Sequence, residues 1–151
     1  MEKIMTEPFA NQQSITVALP VANRRTTFAF YAEGLGFHPL GDAAEDGVPE
    51  PLQFVLNAGV RVMFIPTEGF GWVTGNRVTA PSNQSECLLV MTLADHREVH
   101  NMVERARGAG AEIIMEPAEQ QWGFTAVFAD PDGHLWQVRS VTSEGPFSDK
   151  K

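Results

Sequence analysis

The 151-residue chain carries 11 Lys and Arg against 19 Asp and Glu, a formal net charge of −8, with 43% hydrophobic and 20% charged residues. This acidic balance argues against a surface built for phosphate backbones or anionic lipid, and the apolar content suits one packed domain rather than a disordered chain. The longest apolar run is far short of a bilayer span, residues 1–13 lack the apolar stretch of a secretory signal, and the single Cys87 excludes an internal disulfide and a Cys-rich zinc site. The expectation is a cytoplasmic protein with no nucleic-acid or membrane partner.

Residues 1–13 and 142–151 mix Pro, Gly, Ser and charges without a hydrophobic period and read as tails. Ile15, Val17, Leu19 and Val21 alternate with smaller or polar residues, the pattern of a strand with one face on a core. Asn23 is an N-cap residue, and Phe28, Tyr31 and Leu35 fall on one face of the helix it opens, which Gly34 and Gly36 end. Strand-like runs follow at 37–40, 52–56 and 60–65, the last two joined by a hairpin turn at 57–59. Residues 67–84 hold Gly69, Gly71, Gly75 and Pro81 beside Phe70 and Trp72, and a long loop with bulky aromatics reads as a lid over a site.

The same order then returns. A strand spans 87–93, with Cys87 read as a small buried hydrophobe at its start. Asp95 with Glu98 forms a capping box, and Val99, Met102, Val103 and Ala106 give a helical apolar face that stops at Gly108 and Gly110. Strands at 111–115, 125–129 and 134–141 follow, and Asp130-Pro131-Asp132-Gly133 is a tight-turn signal. Asn23 and Asp95 stand 72 residues apart, and Gly36 and Gly110 stand 74 apart. One offset shared by a whole series of elements marks an internal repeat of β-α-β-β-β.

Few constellations carry chemistry by spacing alone. His96 and His100 at i and i+4 could share a zinc ion, but Glu98 is one place late for HExxH, and Arg97, Asn101 and Glu104 favour a solvated helix face. His134 is expected to face solvent or a partner. Glu86 enters a site as a carboxylate only if the strand register slips by two. Phosphate loops, nucleophile elbows and dinucleotide fingerprints do not occur. Trp72, Phe70, Trp122 and Phe124 are candidates for stacking on a flat ligand, with core packing the competing role for each. Trp136 alternates against Gln137 and is expected in the core.

The run Leu19-Pro20-Val21-Ala22-Asn23, followed by Phe28-Ala29-Phe30-Tyr31-Ala32-Glu33-Gly34-Leu35-Gly36-Phe37, resembles the first strand and helix of the vicinal oxygen chelate superfamily, which includes glyoxalase I, extradiol dioxygenases and bleomycin-resistance proteins. Residues 129–138, with Asp130-Pro131-Asp132-Gly133 and Gln137, resemble its last hairpin. Arg97-Glu98-Val99, Gly108-Ala109-Gly110 and Trp122-Gly123-Phe124 are most similar to the group called predicted lactoylglutathione lyases. The resemblance covers residues 15–141. It implies an α+β fold of two tandem βαβββ modules forming a cup-shaped mixed sheet with helices on the outer face. The organisation is then one domain at 14–141, with modules 14–66 and 85–141 and a linker at 67–84. It also implies a homodimer, because the family often completes its cups across chains.

In the superfamily's enzymes four side chains from the cup floor hold a divalent metal. By the resemblance those positions fall on Thr16, where the enzymes carry His, on Gln137, where they carry Glu, and by the module offset near Met63 and Leu88. Thr, Met, Leu and Gln are a poor set for a hard cation, so the expectation is no metal cofactor. With Lewis-acid chemistry removed, the sequence points to a metal-free binding protein that sequesters a neutral or cationic organic ligand. The expected pocket residues are Thr16, Met63, Trp72, Leu88, Val90, Trp122, Phe124 and Gln137. Strand alternation groups Thr16 and Ala18, and likewise Leu88, Val90 and Thr92, on the ligand-facing side. The alternative is a metal-dependent glyoxalase-like lyase or dioxygenase with non-standard ligands; a third reading is an interaction module with a vestigial pocket.

Overall fold

The structure is a computed structural model that describes residues 14–140. The two expected tails, and Val141 at the end of the last expected strand, lie outside the described residues. The chain divides into two compact units, one of residues up to 32 with 36–79, the other of 33–35 with residues from 80 on.

The first unit opens with β1 (Ile15–Val21) and α1 (Arg24–Phe28). Asn23 caps α1, its side-chain oxygen accepting from the backbone N–H of Arg25 at 2.9 Å and of Thr26 at 3.0 Å. The helix continues as a π-helical turn over Ala29–Gly34. A π turn carries more residues per turn than an α-helix, which is how the consecutive Phe30 and Tyr31 both come to be buried. Tyr31 stacks on Phe64 at 4.7 Å between centroids and also meets Phe30, Phe37 and Phe54.

β2 (Leu52–Asn57) and β3 (Val60–Pro66) form the expected hairpin, and the strand order is β1-β3-β2, with β1 parallel to β3. The strand expected at 37–40 is reduced to one bridge, Pro39 opposite Phe54, with the Leu40 N–H donating to Gln53 O. Pro39 has no N–H to continue a ladder, and Gly41 turns the chain away at φ +81°. The following loop is fastened by Arg24. Its guanidinium donates to both Asp46 carboxylate oxygens at 3.0 and 3.1 Å, to Val48 O at 2.8 Å and to Pro49 O at 3.0 Å. That guanidinium, with the Val48 N–H, holds the Asp46 carboxyl below the usual aspartate range.

The expected lid at 67–84 begins instead as a helix, α2 (Thr67–Val73), running directly on from β3. The Thr67 hydroxyl donates to Val21 O at 3.1 Å, and Gly69 lets the helix turn close over Ile65.

The second unit contains β4 (Leu88–Leu93), α3 (His96–Gly108), β5 (Glu112–Gln120), β6 (Gly123–Ala129) and β7 (Leu135–Ser140). Its sheet runs β4-β7-β6-β5, with β4 parallel to β7 and the other pairs antiparallel. This is the first unit's order with the third element fully formed, so the fold is α+β with two βαβββ modules and open sheets. The capping box is present with one variation: Asp95 accepts from the Glu98 N–H at 2.9 Å, while Glu98 accepts from Ala94 N–H rather than from the cap residue.

Val99, Val103 and Ala106 of α3 bury against the sheet, and Met102 is half-buried. β5 extends past the expected 115 to Gln120 through two irregularities in its register. Pro117 lies within the second, where its missing N–H breaks no regular pairing. In the 130–133 turn the buried Asp130 accepts from the N–H groups of Asp132 and His134, each at 2.9 Å. Gly133 closes the turn at φ +89°, and any side chain there would run into the Ser82 carbonyl. Among the described residues no helix is long and apolar enough to cross a membrane.

Candidate functional site

Strand pairing sorts the side chains of each sheet onto two faces, because directly opposite residues share a side and neighbours along a strand alternate. In the first unit Leu19, Val21, Leu52, Phe54, Val62 and Phe64 form the buried face. The opposite face carries Thr16 across from Arg61, and Ala18 across from Met63, which faces Gln53. Thr16, Ala18 and Arg61 are exposed and Met63 is half-buried.

In the second unit α3 covers the face bearing Phe124, Ala126, Phe128, Trp136 and Val138, all buried. Trp136 is therefore in the core, as its alternation requires. The helix-free face is built of three cross-sheet rows: Leu88-Leu135-Ala129-Glu112, Val90-Gln137-Val127-Met115 and Thr92-Arg139-Thr125-Ala118. Leu88 and Val90 on the edge strand are 46% and 50% exposed, and burial deepens inward to Thr125 and Ala129.

The four positions marked by the resemblance thus fall in two pairs. Thr16 and Met63 are diagonal neighbours on the first sheet's face opposite its buried core; Leu88 and Gln137 are diagonal neighbours on the helix-free face of the second. Their donors are one hydroxyl, one thioether, one neutral amide and, from Leu88, none. Divalent cations in proteins are held by carboxylate, imidazole or thiolate in fixed geometry, and this set does not fit one. Among the described residues no group of three or more His, Cys, Asp or Glu is placed to hold a metal ion.

Phe124, expected in the pocket, lies on the helix-covered face. It shares its face with Ala126 and Phe128, lies beneath α3, and is stacked by His96 at 3.9 Å and met by His100 at 5.5 Å. The histidine pair is exposed on α3, as a solvated helix face requires, and its rings roof Phe124. Trp122 sits in the β5–β6 turn at 39% exposure, and Trp72 projects from α2 at 81%. Phe70, on the same helix, is half-buried. Cys87 is exposed rather than buried, because β4 begins one residue later, and its carbonyl accepts from the Ser85 hydroxyl at 3.0 Å. Glu86 also precedes the strand and is exposed.

Arg61, on the first sheet's face opposite its core, and Thr125 and Arg139, on the second sheet's helix-free face, were not singled out from the sequence. The signal was the same alternation: Arg139 is two residues beyond Gln137, and Arg61 two before Met63.

Residues 14–138 match the Glyoxalase/Bleomycin resistance protein/Dioxygenase superfamily. Solved structures similar to this chain include hypothetical protein SA1046 from S. aureus, at TM-score 0.72 and 22% identity, covering 85% of this chain and 93% of that one. A glyoxalase-related enzyme from Fulvimarina pelagi aligns at TM-score 0.72 and 25% identity, over 85% of this chain and 88% of that one. TnmS3, an antibiotic binding protein from Streptomyces sp. CB03234, aligns at TM-score 0.59 and 21% identity, over 87% and 98%. No curated protein matches the chain. With a match spanning nearly all its described residues and both βαβββ modules formed, the chain belongs to the Glyoxalase/Bleomycin resistance protein/Dioxygenase superfamily.

Proposed function

We propose that this protein binds a small organic molecule on the helix-free face of its second sheet without a metal ion, and acts by sequestration rather than turnover. The observation that carries the reading is the donor set at Thr16, Met63, Leu88 and Gln137, which offers no anionic or imidazole ligand where the superfamily's enzymes hold their cation. The second sheet supports it with exposed apolar Leu88 and Val90 beside neutral polar Gln137 and Thr92, a surface that rewards burial of an apolar ligand. The antibiotic-binding description of TnmS3 is in keeping with the same role. The test is a calorimetric screen of small aromatic molecules in the presence of a chelator. Saturable one-to-one binding supports the reading, and the Val90→Glu variant should lose it.

A metal-dependent lyase or dioxygenase with non-standard ligands is the competing reading, and the likeness to a glyoxalase-related enzyme from Fulvimarina pelagi is what favours it. Metal-dependent turnover of a hemithioacetal or a catechol would establish it. We further infer a homodimer, since β1, β4 and β5 end their sheets as edges and such edges invite pairing, and a cytoplasmic location from the single cysteine and acidic composition. Light scattering at micromolar concentration tests the dimer, and a monomer there contradicts it.

A further inference from the structure

We propose that Arg139, with Thr92 and Thr125 on either side of it, is an anion subsite, so that the ligand class is an apolar molecule ending in a carboxylate. This deepens the metal-free binding reading and rests on it. Arg139 lies on the helix-free face of the second sheet, directly across from Thr92 on β4 and from Thr125 on β6. It is half-buried, and among the described residues its guanidinium has no ion-pair or hydrogen-bond partner. Its neighbours on that face, Gln137, Val90 and Val127, carry no charge that could neutralise it.

A second observation is independent of the first. Thr125 is 1% exposed, and its hydroxyl oxygen is buried with no hydrogen-bond partner among the described residues. Buried polar groups in native proteins are nearly always paired, and an orphan calls for a partner that is absent. An orphaned donor in the row of an unpaired cation shares with it the need for an acceptor oxygen, and an anionic one answers the charge as well as the hydroxyl. Arginine takes a carboxylate through two parallel N–H bonds, and a threonine hydroxyl donates a third.

The next row, Val90-Gln137-Val127-Met115, then supplies the apolar bed for the rest of the molecule. The local cation overrides the preference for neutral or cationic ligands suggested by net charge, because the field of distant surface charges is screened over roughly 10 Å while a contact pair is not.

Three probes of one shape separate the possibilities in the full chain: 2-naphthoate, the uncharged 2-naphthylmethanol and the cationic 2-naphthylmethylammonium. Calorimetry should rank naphthoate at least about tenfold tighter than the alcohol, with the cation weakest. Amide shift changes on adding naphthoate should centre on Thr92, Thr125 and Arg139. Arg139→Gln should bring naphthoate down to the alcohol's affinity while leaving the alcohol unchanged. Arg139→Lys should keep part of the preference, and the exposed Thr92→Val should weaken naphthoate more than the alcohol. Equal binding of naphthoate and alcohol, or a preference that survives Arg139→Gln, overturns the anion subsite and leaves metal-free binding standing. If none of the three probes binds, the subsite and the binding reading fail together.

Discussion

His96 lies flat against Phe124, with ring centroids 3.9 Å apart and planes 13° from parallel. The contact fixes Phe124 under α3 and away from the helix-free face, so its truncation should act on stability and not on ligand affinity. Phe124→Ala is expected to cost about 3 kcal/mol, at the lower end for a core aromatic, because the ring keeps 9% exposure. Urea unfolding gives the stability, and calorimetry with 2-naphthoate gives the affinity. A folded Phe124→Ala protein with unchanged stability and lost binding would return Phe124 to the pocket.

Arg24 and Asp46 tie the loop between α1 and β2 to the helix start, and the depressed Asp46 carboxyl makes that tie pH-dependent. For a carboxylate whose folded value is lowered, the stabilisation is complete above the ordinary value of 3.8 and is lost as pH falls through the folded value. Asp46→Asn should therefore be less stable than the parent by a constant amount at neutral pH. The gap should narrow as the pH falls below about 4. Parallel urea titrations check this, and a gap that persists undiminished to the lowest accessible pH contradicts it.

Gly133 closes the 130–133 turn at positive φ with the Ser82 carbonyl against it. Gly133→Ala should destabilise the second unit by about 1–3 kcal/mol, from left-handed backbone strain together with the displaced carbonyl. Gly47 also has positive φ, at +87°, but open space around it. The Gly47→Ala variant is the control that isolates strain, and it should cost less. Equal thermal shifts for the two variants would remove the steric part of the explanation.

Elements whose signal is local were readable before any coordinates. Asn23 and Asp95 announced helix starts, the Asp130 turn announced itself by composition, and alternation placed Trp136 and Gln137 on opposite faces. What escaped depended on partners distant in sequence. The strand at 37–40 looked regular until Pro39 met β2. The helical character of 67–73 was hidden by Gly69 and Gly71, which helices disfavour, although at Gly69 a side chain would crowd Ile65. Phe124 shares a face of β6 with Ala126 and Phe128 by alternation, but that α3 covers this face is set by packing between elements distant in sequence. Arg24 showed no sign of its role, because Asp46, Val48 and Pro49 become its acceptors only after the loop folds back. The candidate site was legible as alternating positions on four strands; the Arg139 and Thr125 pairing required knowing that β6 and β7 are neighbours in that register.

The most direct test of metal-free binding is elemental analysis by mass spectrometry of tag-free protein, purified without chelators from cells supplied with zinc, nickel, iron and manganese. Metal-free binding predicts far less than one metal ion per chain, with 2-naphthoate affinity unmoved by later addition of chelator. About one ion per chain, lost in the Thr16→Ala or Gln137→Ala variant, would contradict it and make those positions ligands after all.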